Sequence, residues 1–264
     1  MVAGPPERDV GVPAVVFELA AGRPVRAVWL NELGGSTFEL GAGSDRCFAK
    51  WAPADSALDL DGEASRMMWT RPFSVVPEVI ALGEDTAGSW LATTPLSGES
   101  AVADRWRQEP TVAVTAIGIG LRHLHDHAPV GSCPFSWSVS DRIARARQRV
   151  ADGTTHPSAW HRTHQDLTLD DALAIAADPP EVDHLVVCHG DACAPNTMID
   201  AGRWSGHVDL GSLGVADRWA DLAIATWSTE WNYGPGWERT LFDAYGIEPD
   251  PARTAYYRLL WDLT

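Results

Sequence analysis

The stretch LVVCHGDACAPNTMIDAGRWSGHVDLG, residues 185 to 211, constrains this chain of 264 residues more than any other. It opens with an apolar, β-branched run, 185–188, which predicts a short buried strand that delivers Asp191 to a loop. A proline directly before Asn196 argues against a helix there, and Asp209 follows further along the chain. The pattern therefore predicts two carboxylates and one amide near strand ends on either side of a hairpin.

These three side chains suit phosphoryl transfer. An aspartate beside an attacking hydroxyl can orient it and accept its proton, while an amide oxygen and a second carboxylate hold Mg²⁺ against nucleotide phosphates. Protein kinases arrange such residues as an Asp and an Asn in the catalytic loop and an Asp-Phe-Gly after it. Here the order is Asp191, Asn196 and then Asp209 at the start of Asp-Leu-Gly, which predicts a kinase-type site.

Three segments carry a resemblance to a known family: HGDACAPN at 189–196, VDLG at 208–211 and LGVADRWADLA at 213–223. They closely resemble the aminoglycoside phosphotransferases of the 3'- or 3''-type, kinase-like enzymes that phosphorylate antibiotics. With the upstream features below, the resemblance covers nearly the whole chain. It implies a catalytic base and two magnesium ligands, which by position are Asp191 and then Asn196 and Asp209.

Two other interpretations of this stretch stay open. An HGD triplet occurs by chance, and Asn196 or Asp209 taken alone is typical of a turn. The candidate ligands of a zinc site are Cys188, His189, Asp191 and Cys193. Neither a C-x-x-C pair nor a second Cys/His cluster accompanies them. The joint order and spacing favour the kinase interpretation.

Upstream, the sequence predicts two strands, 25–31 and 36–40, joined by the glycine hairpin ELGG at 32–35. Residues without a Cβ let backbone N–H groups approach a phosphate, so this tip and the adjoining Ser36 are a candidate ATP-covering loop. By itself, a glycine hairpin is more often a plain turn.

Lys50 lies among the apolar residues of a predicted strand, CFAKW at 47–51. In such a strand a lysine is usually an outward-facing edge residue, but in kinases it pairs with the α/β phosphates and with a glutamate on the following helix. The resemblance carries Lys50 into this role and gives Glu63, on a predicted helix at 61–69, the role of its partner. The alternative for Glu63 is a solvated surface charge.

A second predicted hairpin, 76–83 with 89–94, ends in a short Pro/Gly segment of the kind that joins two kinase lobes. The resemblance implies that adenine bonds to the Thr94 carbonyl and the Leu96 N–H, since the proline between them has no N–H. The alternative is a linker without ligand contact. The predicted division is a nucleotide-binding lobe at 1–93, a hinge at 94–98, and a catalytic and substrate-binding lobe at 99–264.

In this family, the region 151–169 and the C-terminal helices form a substrate pocket lined by acids that bind amino groups. Here the segment HPSAWHRTHQ, 156–165, has no acid before Asp166, which leaves the choice of substrate open. The candidate substrate-binding acids are Asp166, Glu230, Glu238 and Asp262. Aromatic residues are dense around 230–238, where they either bind a cation or fill the core.

The chain has 36 acidic and 20 basic side chains, a formal net charge of −16. This charge argues against nucleic acid and anionic membranes and is compatible with a cationic small-molecule substrate. The cysteines have no regular spacing, the start lacks a basic, apolar leader, and no apolar stretch approaches the roughly 20 residues of a membrane span. We therefore expect a cytoplasmic protein that is a monomer or a weak dimer.

The combined prediction is an α+β, protein-kinase-like fold with a small antiparallel-sheet N-lobe and a mainly helical C-lobe. The predicted function is ATP- and Mg²⁺-dependent transfer of the γ-phosphoryl group to a hydroxyl of an aminoglycoside antibiotic, giving resistance. The alternative is a small-molecule kinase for another sugar, an amino alcohol or a nucleoside-like metabolite. A pseudokinase-like sensor that only binds is less favoured, because every expected polar group is present.

Overall fold

The computed structural model describes residues 4–31 and 33–264. They adopt the predicted α+β architecture, and the chain divides after Leu96 into two compact units. Glu32, in the predicted glycine hairpin, lies outside the described residues. Within the described ranges, no helix is both long and apolar enough to cross a membrane.

The first unit is built on an antiparallel sheet. Its elements are α1 (Ala14–Ala20), β1 (Val25–Leu30), β2 (Ser36–Leu40), β3 (Cys47–Pro53), α2 (Leu60–Thr70), β4 (Val79–Glu84) and β5 (Gly88–Thr93). The five strands lie in the order β1-β2-β3-β5-β4, so β3 is the central strand. Strand β4 begins three residues later than the sequence predicts, at Val79, because Pro77 has no N–H to donate to a ladder.

Alternating side chains of β2 and β3 form the core of this sheet. Phe38 and Ala49 are fully buried and pack with Val16 of α1, as the two-residue period of a strand requires. Lys50 lies between Thr37 on β2 and Leu91 on β5. The interpretation of Lys50 as an edge residue is therefore wrong, since the central strand has hydrogen-bonded neighbours on both sides.

The second unit is mainly helical. Its helices are α3 (Asp104–Gln108), α4 (Pro110–His127), α5 (Val139–Ala151), α6 (Leu169–Ala176), α7 (Trp219–Tyr233), α8 (Glu238–Tyr245) and α9 (Pro251–Leu263). Its strands are β6 (Glu99–Ser100), β7 (Leu185–Cys188), β8 (Thr197–Asp200), β9 (Arg203–His207) and β10 (Gly214–Asp217). Large buried side chains such as Trp106, Trp219 and Leu260 fill one core among the helices.

Two small sheets position the stretch 185–211. Strand β7 pairs antiparallel with β10, and β8 pairs with β9 and with the short β6. The expectation that a proline excludes helix at Asn196 is wrong at this one turn, since residues Ala194–Asn196 form a 3-10 turn. Pro195 is tolerated there because the first N–H groups of a helical turn have no partner within the turn.

Candidate active site

The triplet His189-Gly190-Asp191 begins directly after the buried strand β7. Gly190 has φ +81°, and a Cβ on it would lie 2.1 Å from the Ser212 carbonyl oxygen, so only glycine fits. The chain turns sharply there and reaches Asp191, which is half-buried. The triplet therefore needs a glycine between its histidine and its aspartate for reasons of backbone geometry.

Asn196 lies against Asp191 at the end of the 3-10 turn. Its Nδ2 donates to the Asp191 backbone oxygen at 3.0 Å and to the Asp191 Oδ2 at 2.9 Å. Because both bonds use the amide nitrogen, the amide oxygen of Asn196 remains as an acceptor. A hard oxygen of this kind suits Mg²⁺.

The end of strand β9 is tied to the same loop. The Val208 N–H donates to the Asn196 carbonyl at 3.0 Å, and the His189 Nε2 donates to the Val208 carbonyl at 2.9 Å. The Asp191 N–H donates to the His189 Nδ1 at 3.3 Å, so the two ring nitrogens of His189 join Asp191 to Val208. Backbone bonds thus bring the residue next in the chain, Asp209, to the catalytic loop.

Asp209 has an unusual backbone. Its φ of +63° lies in the left-handed region, which costs free energy in a residue other than glycine and is concentrated at functional sites. Burial raises the pKa of Asp191, and the negative charge of Asp209 raises it further. A divalent cation would relieve the repulsion between the negative charges of these two carboxylates. The donor set of Asp209 with Asn196 therefore fits Mg²⁺.

The buried carboxylate of Asp221, which sequence reasoning missed, anchors the candidate catalytic loop through hydrogen bonds. Asp221 of α7 is fully buried and accepts from the His189 N–H at 2.6 Å and from the Gly190 N–H at 2.9 Å. It also accepts from His125 Nε2 at 3.0 Å, and His125 Nδ1 lies 2.9 Å from the Tyr245 hydroxyl. Burial alone would raise the pKa of Asp221, but these hydrogen bonds and nearby imidazoles hold it below its usual value.

The zinc interpretation finds no support in this geometry. Among the described residues, the potential metal ligands that lie close together are His125, Cys188 and Asp221, all buried, rather than the predicted set. Both carboxylate oxygens of Asp221 accept hydrogen bonds, and burial raises the pKa of the Cys188 thiol well above its usual value. A neutral thiol is a poor zinc ligand, so hydrogen bonding accounts for this cluster.

The candidate nucleotide residues belong to the first unit. Lys50 Nζ lies 2.8 Å from both carboxylate oxygens of Glu63, whose side chain is buried. The predicted pair therefore forms, and Glu63 is not a solvated surface charge. Ser36 is buried at the start of β2, directly after Gly34 with φ +87° and Gly35. The contact of these residues with ATP stays a prediction.

In the predicted hinge, Thr94 and Leu96 are half-buried. The Thr94 N–H donates to the Glu78 carbonyl, and the Thr94 hydroxyl accepts from the Glu78 N–H at 2.9 Å. Within the described part of the chain, the Thr94 carbonyl and the Leu96 N–H have no hydrogen-bond partner. These are the groups for which adenine contact is predicted.

The four candidate substrate acids have different surroundings. Asp262 accepts from the His161 N–H at 3.1 Å and from His164 Nδ1 at 2.6 Å. Glu230 lies 3.6 Å from the Arg162 guanidinium. Glu238 accepts from Arg258 at 2.5 Å, and Asp166 is exposed. Sequence reasoning missed these partners, because helix periodicity does not show which residue of another segment meets which acid.

Glu230 and Glu238 share one groove. It has a volume of about 400 Å³ and lies between the end of α7 and the start of α8. Its lining includes Thr229, Trp237 and Arg239. Two acids and an aromatic ring on one concave surface suit a cationic sugar.

Known proteins resemble this chain over most of its length. A family model described as the phosphotransferase enzyme family matches residues 30–257. An aminoglycoside 3'-phosphotransferase of Streptomyces fradiae is 37% identical over 79% of this chain and 81% of its own length. A streptomycin 3''-kinase of Streptomyces griseus is 35% identical over 90% of this chain and 91% of its own.

A solved structure extends the comparison to three dimensions. An aminoglycoside phosphotransferase of Streptomyces rimosus, in complex with ADP and streptomycin, is 29% identical, covers 86% of this chain and 90% of its own, and has a TM-score of 0.72. Its similarity covers both the sheet-based and the helical part of the chain.

Proposed function

The chain belongs to the phosphotransferase enzyme family, and we propose that it is an aminoglycoside O-phosphotransferase that gives resistance by moving the γ-phosphoryl group of ATP to an antibiotic hydroxyl. The hydrogen bond between Asn196 Nδ2 and Asp191 Oδ2, 2.9 Å, is the observation that supports this reaction best. It places a candidate base beside a candidate metal ligand, the two kinds of residue that a kinase catalytic loop combines.

Each candidate residue has a definite chemical task. Asp191 orients the acceptor hydroxyl and takes its proton as the oxygen attacks the γ-phosphorus. Asn196 and Asp209 would hold Mg²⁺, which when bound neutralises charge on the phosphates. Lys50, oriented by Glu63, neutralises phosphate oxygens of the nucleotide, and Ser36 lies in the loop that covers them.

The remaining candidate residues concern the adenine of ATP and the cationic groups of the antibiotic. Thr94 and Leu96 would bind adenine through backbone groups, in a hinge at 94–98 between a nucleotide-binding and a catalytic lobe. The acids Asp166, Glu230, Glu238 and Asp262 would bind the cations of the antibiotic. Cytoplasmic localisation and a monomeric or weakly dimeric state remain predictions from the sequence.

A coupled assay of ADP release tests this function. The purified protein is supplied with ATP and Mg²⁺ and with streptomycin, with an aminoglycoside whose cations are all ammonium groups, such as neomycin, or with uncharged sugars, amino alcohols and nucleosides. We expect turnover with at least one aminoglycoside and little without an acceptor. Faster turnover of a metabolite than of every aminoglycoside would establish the alternative, a metabolite kinase.

A further inference from the structure

A single 3-10 turn joins the candidate base to a candidate metal ligand. Ala194 and Pro195 form it together with Asn196, which is its last residue. From the end of this turn, the Asn196 side chain donates two hydrogen bonds to Asp191. The position of the Asn196 amide therefore depends on what holds the two residues before it.

Ser228 of α7 holds the first residue of the turn. Its hydroxyl accepts from the Ala194 N–H at 2.8 Å, and the serine is fully buried. Asn232, about one helical turn further along α7, donates through Nδ2 to the Ser228 carbonyl at 2.8 Å and to the Ser228 hydroxyl at 3.3 Å. A buried N–H that loses its acceptor is costly, so this serine fixes where the turn begins.

Ser100 holds the second residue of the turn from a different element. Its hydroxyl donates to the Pro195 carbonyl at 2.8 Å. Pro195 has no N–H, so its carbonyl is the one backbone group through which a hydrogen bond can hold it. Strand β6, which contains Ser100, pairs with β8, and the Ala101 N–H donates to the Thr197 carbonyl at 2.8 Å. The backbone pairing of β6 therefore keeps this serine beside the turn.

These two contacts differ from those of Asp221. The Asp221 carboxylate accepts from the two N–H groups directly before Asp191, whereas Ser228 and Ser100 hold the two residues directly before Asn196. The candidate catalytic loop is therefore held at two places. A carboxylate holds the side of the base, and two hydroxyls hold the side of the metal ligand.

Mg²⁺ demands near-ideal octahedral geometry, so the residues that orient its ligands affect how tightly it binds. We propose that Ser228 and Ser100 are positioning residues for the candidate magnesium site. They fix the turn so that the Asn196 amide oxygen is available to the cation, and Asn232 keeps the Ser228 hydroxyl in place. The proposal rests on the function proposed above and adds to it residues from outside the stretch 185–211.

Binding of Mn²⁺ in the presence of ADP, measured by electron paramagnetic resonance, tests the proposal without turnover. Mn²⁺ is the probe because it is paramagnetic and takes the same hard oxygen ligands as Mg²⁺. The variants are S228A, S100A and S100T, the last of which keeps the hydroxyl. S74A is the control for S228A, since Ser74 is buried in the first unit. S132A is the control for S100A, since the Ser132 hydroxyl also donates to a proline carbonyl, that of Pro129, at 3.5 Å.

We expect S228A and S100A each to weaken Mn²⁺ binding about tenfold, an effect typical of losing a partner that orients a metal ligand. S100T should bind Mn²⁺ as the wild type does, and both controls should leave binding unchanged. In an N196A background, S228A and S100A should add little, because residues that act through one ligand are not additive. Circular dichroism checks that each variant is folded, and S100A alone carries the test if S228A does not fold.

Three results would overturn the proposal. Wild-type Mn²⁺ affinity in folded S228A and S100A would mean that these serines only stabilise the fold. A full tenfold loss in the N196A background would mean that they act on something other than Asn196. Binding to N196A as tight as to the wild type would remove the ligand on which the proposal depends. If the wild type binds no Mn²⁺ with ADP and phosphorylates no aminoglycoside, the proposed function itself fails.

Discussion

The candidate catalytic loop and the candidate substrate side of the second unit use their carboxylates in different ways. In the loop, Asp191 meets an amide and the negative charge of Asp209, and backbone N–H groups fix the chain onto the buried Asp221. On the substrate side, Glu230 and Asp262 meet an arginine and a histidine of the protein.

This difference separates a preorganised site from an exchangeable one. Backbone donors bonded to a buried carboxylate cannot rearrange without leaving polar groups unsatisfied, so the loop is rigid. The Arg162 guanidinium, whose side chain is 78% exposed and lies 3.6 Å from Glu230, can be replaced by the cation of a substrate at little cost. Catalysis needs fixed geometry, and adaptation to new antibiotics needs replaceable contacts.

The largest effect is expected from Asp191→Ala. Loss of the base should lower kcat by about 10² to 10⁴-fold, the usual contribution of general-base catalysis. The fold should survive, because Asn196 Nδ2 keeps its bond to the backbone oxygen of residue 191. Rates of ADP release and unfolding by circular dichroism measure the two effects.

The control for this variant is Asp200→Ala, which removes an exposed carboxylate at the end of β8. It should leave kcat unchanged. Activity of Asp191→Ala within tenfold of the wild type would mean that residue 191 is not the base.

The loop could be predicted from sequence to the extent that its residues are close in the chain. Asn196 and Asp209 flank the β8–β9 hairpin and Asp191 lies shortly before it, so local strand and turn signals are enough to bring them near each other. The αL backbone of Asp209 is not predictable in this way, because it depends on the packing of the whole turn.

Contacts between distant segments could not be predicted. His125 of α4 is buried, and its bonds to Asp221 and Tyr245 join α4 to α7 and α8. The candidate substrate acids likewise meet partners from other segments, such as His164 for Asp262. One-dimensional patterns show amphipathic faces, and they do not show which faces meet.

Loss of the Asp221 carboxylate, which anchors the candidate catalytic loop, should have the next largest effect. Asp221→Ala leaves two buried N–H groups and one buried imidazole without their acceptor, so the free energy of unfolding should fall by about 3 kcal/mol or more. Urea unfolding measures this change.

Asp243→Ala is the matched control, since Asp243 pairs with Arg239 on an exposed face of α8. The control should change the free energy of unfolding by less than about 0.5 kcal/mol. A loss below about 1 kcal/mol in Asp221→Ala would mean that the loop is not anchored by this carboxylate.

Asp209→Asn should raise the Mg²⁺ concentration for half-maximal activity by roughly tenfold, because a neutral amide binds the cation more weakly than a carboxylate. Asparagine tolerates φ near +63° well, so the backbone stays as it is and the change reports on charge. Magnesium titrations of activity, with Asp200→Asn as the control, measure this effect. An unchanged titration would make Asp209 a turn residue rather than a metal ligand.

The smallest effect is expected from Asp262→Ala on α9. Comparing it with Asp250→Ala, at the start of the same helix, distinguishes an effect on substrate binding from an effect on helix stability. Asp262→Ala should raise KM for a cationic aminoglycoside about fivefold and leave KM for ATP unchanged, because a charge-assisted contact contributes about 1 kcal/mol or more. Loss of its bonds also frees His161 and His164.

Asp250→Ala removes the N-cap of the same helix, where Asp250 accepts from the Arg253 N–H, and should lower stability by about 1 kcal/mol without changing either KM. Equal shifts of acceptor KM in both variants would mean that Asp262 acts through helix stability alone.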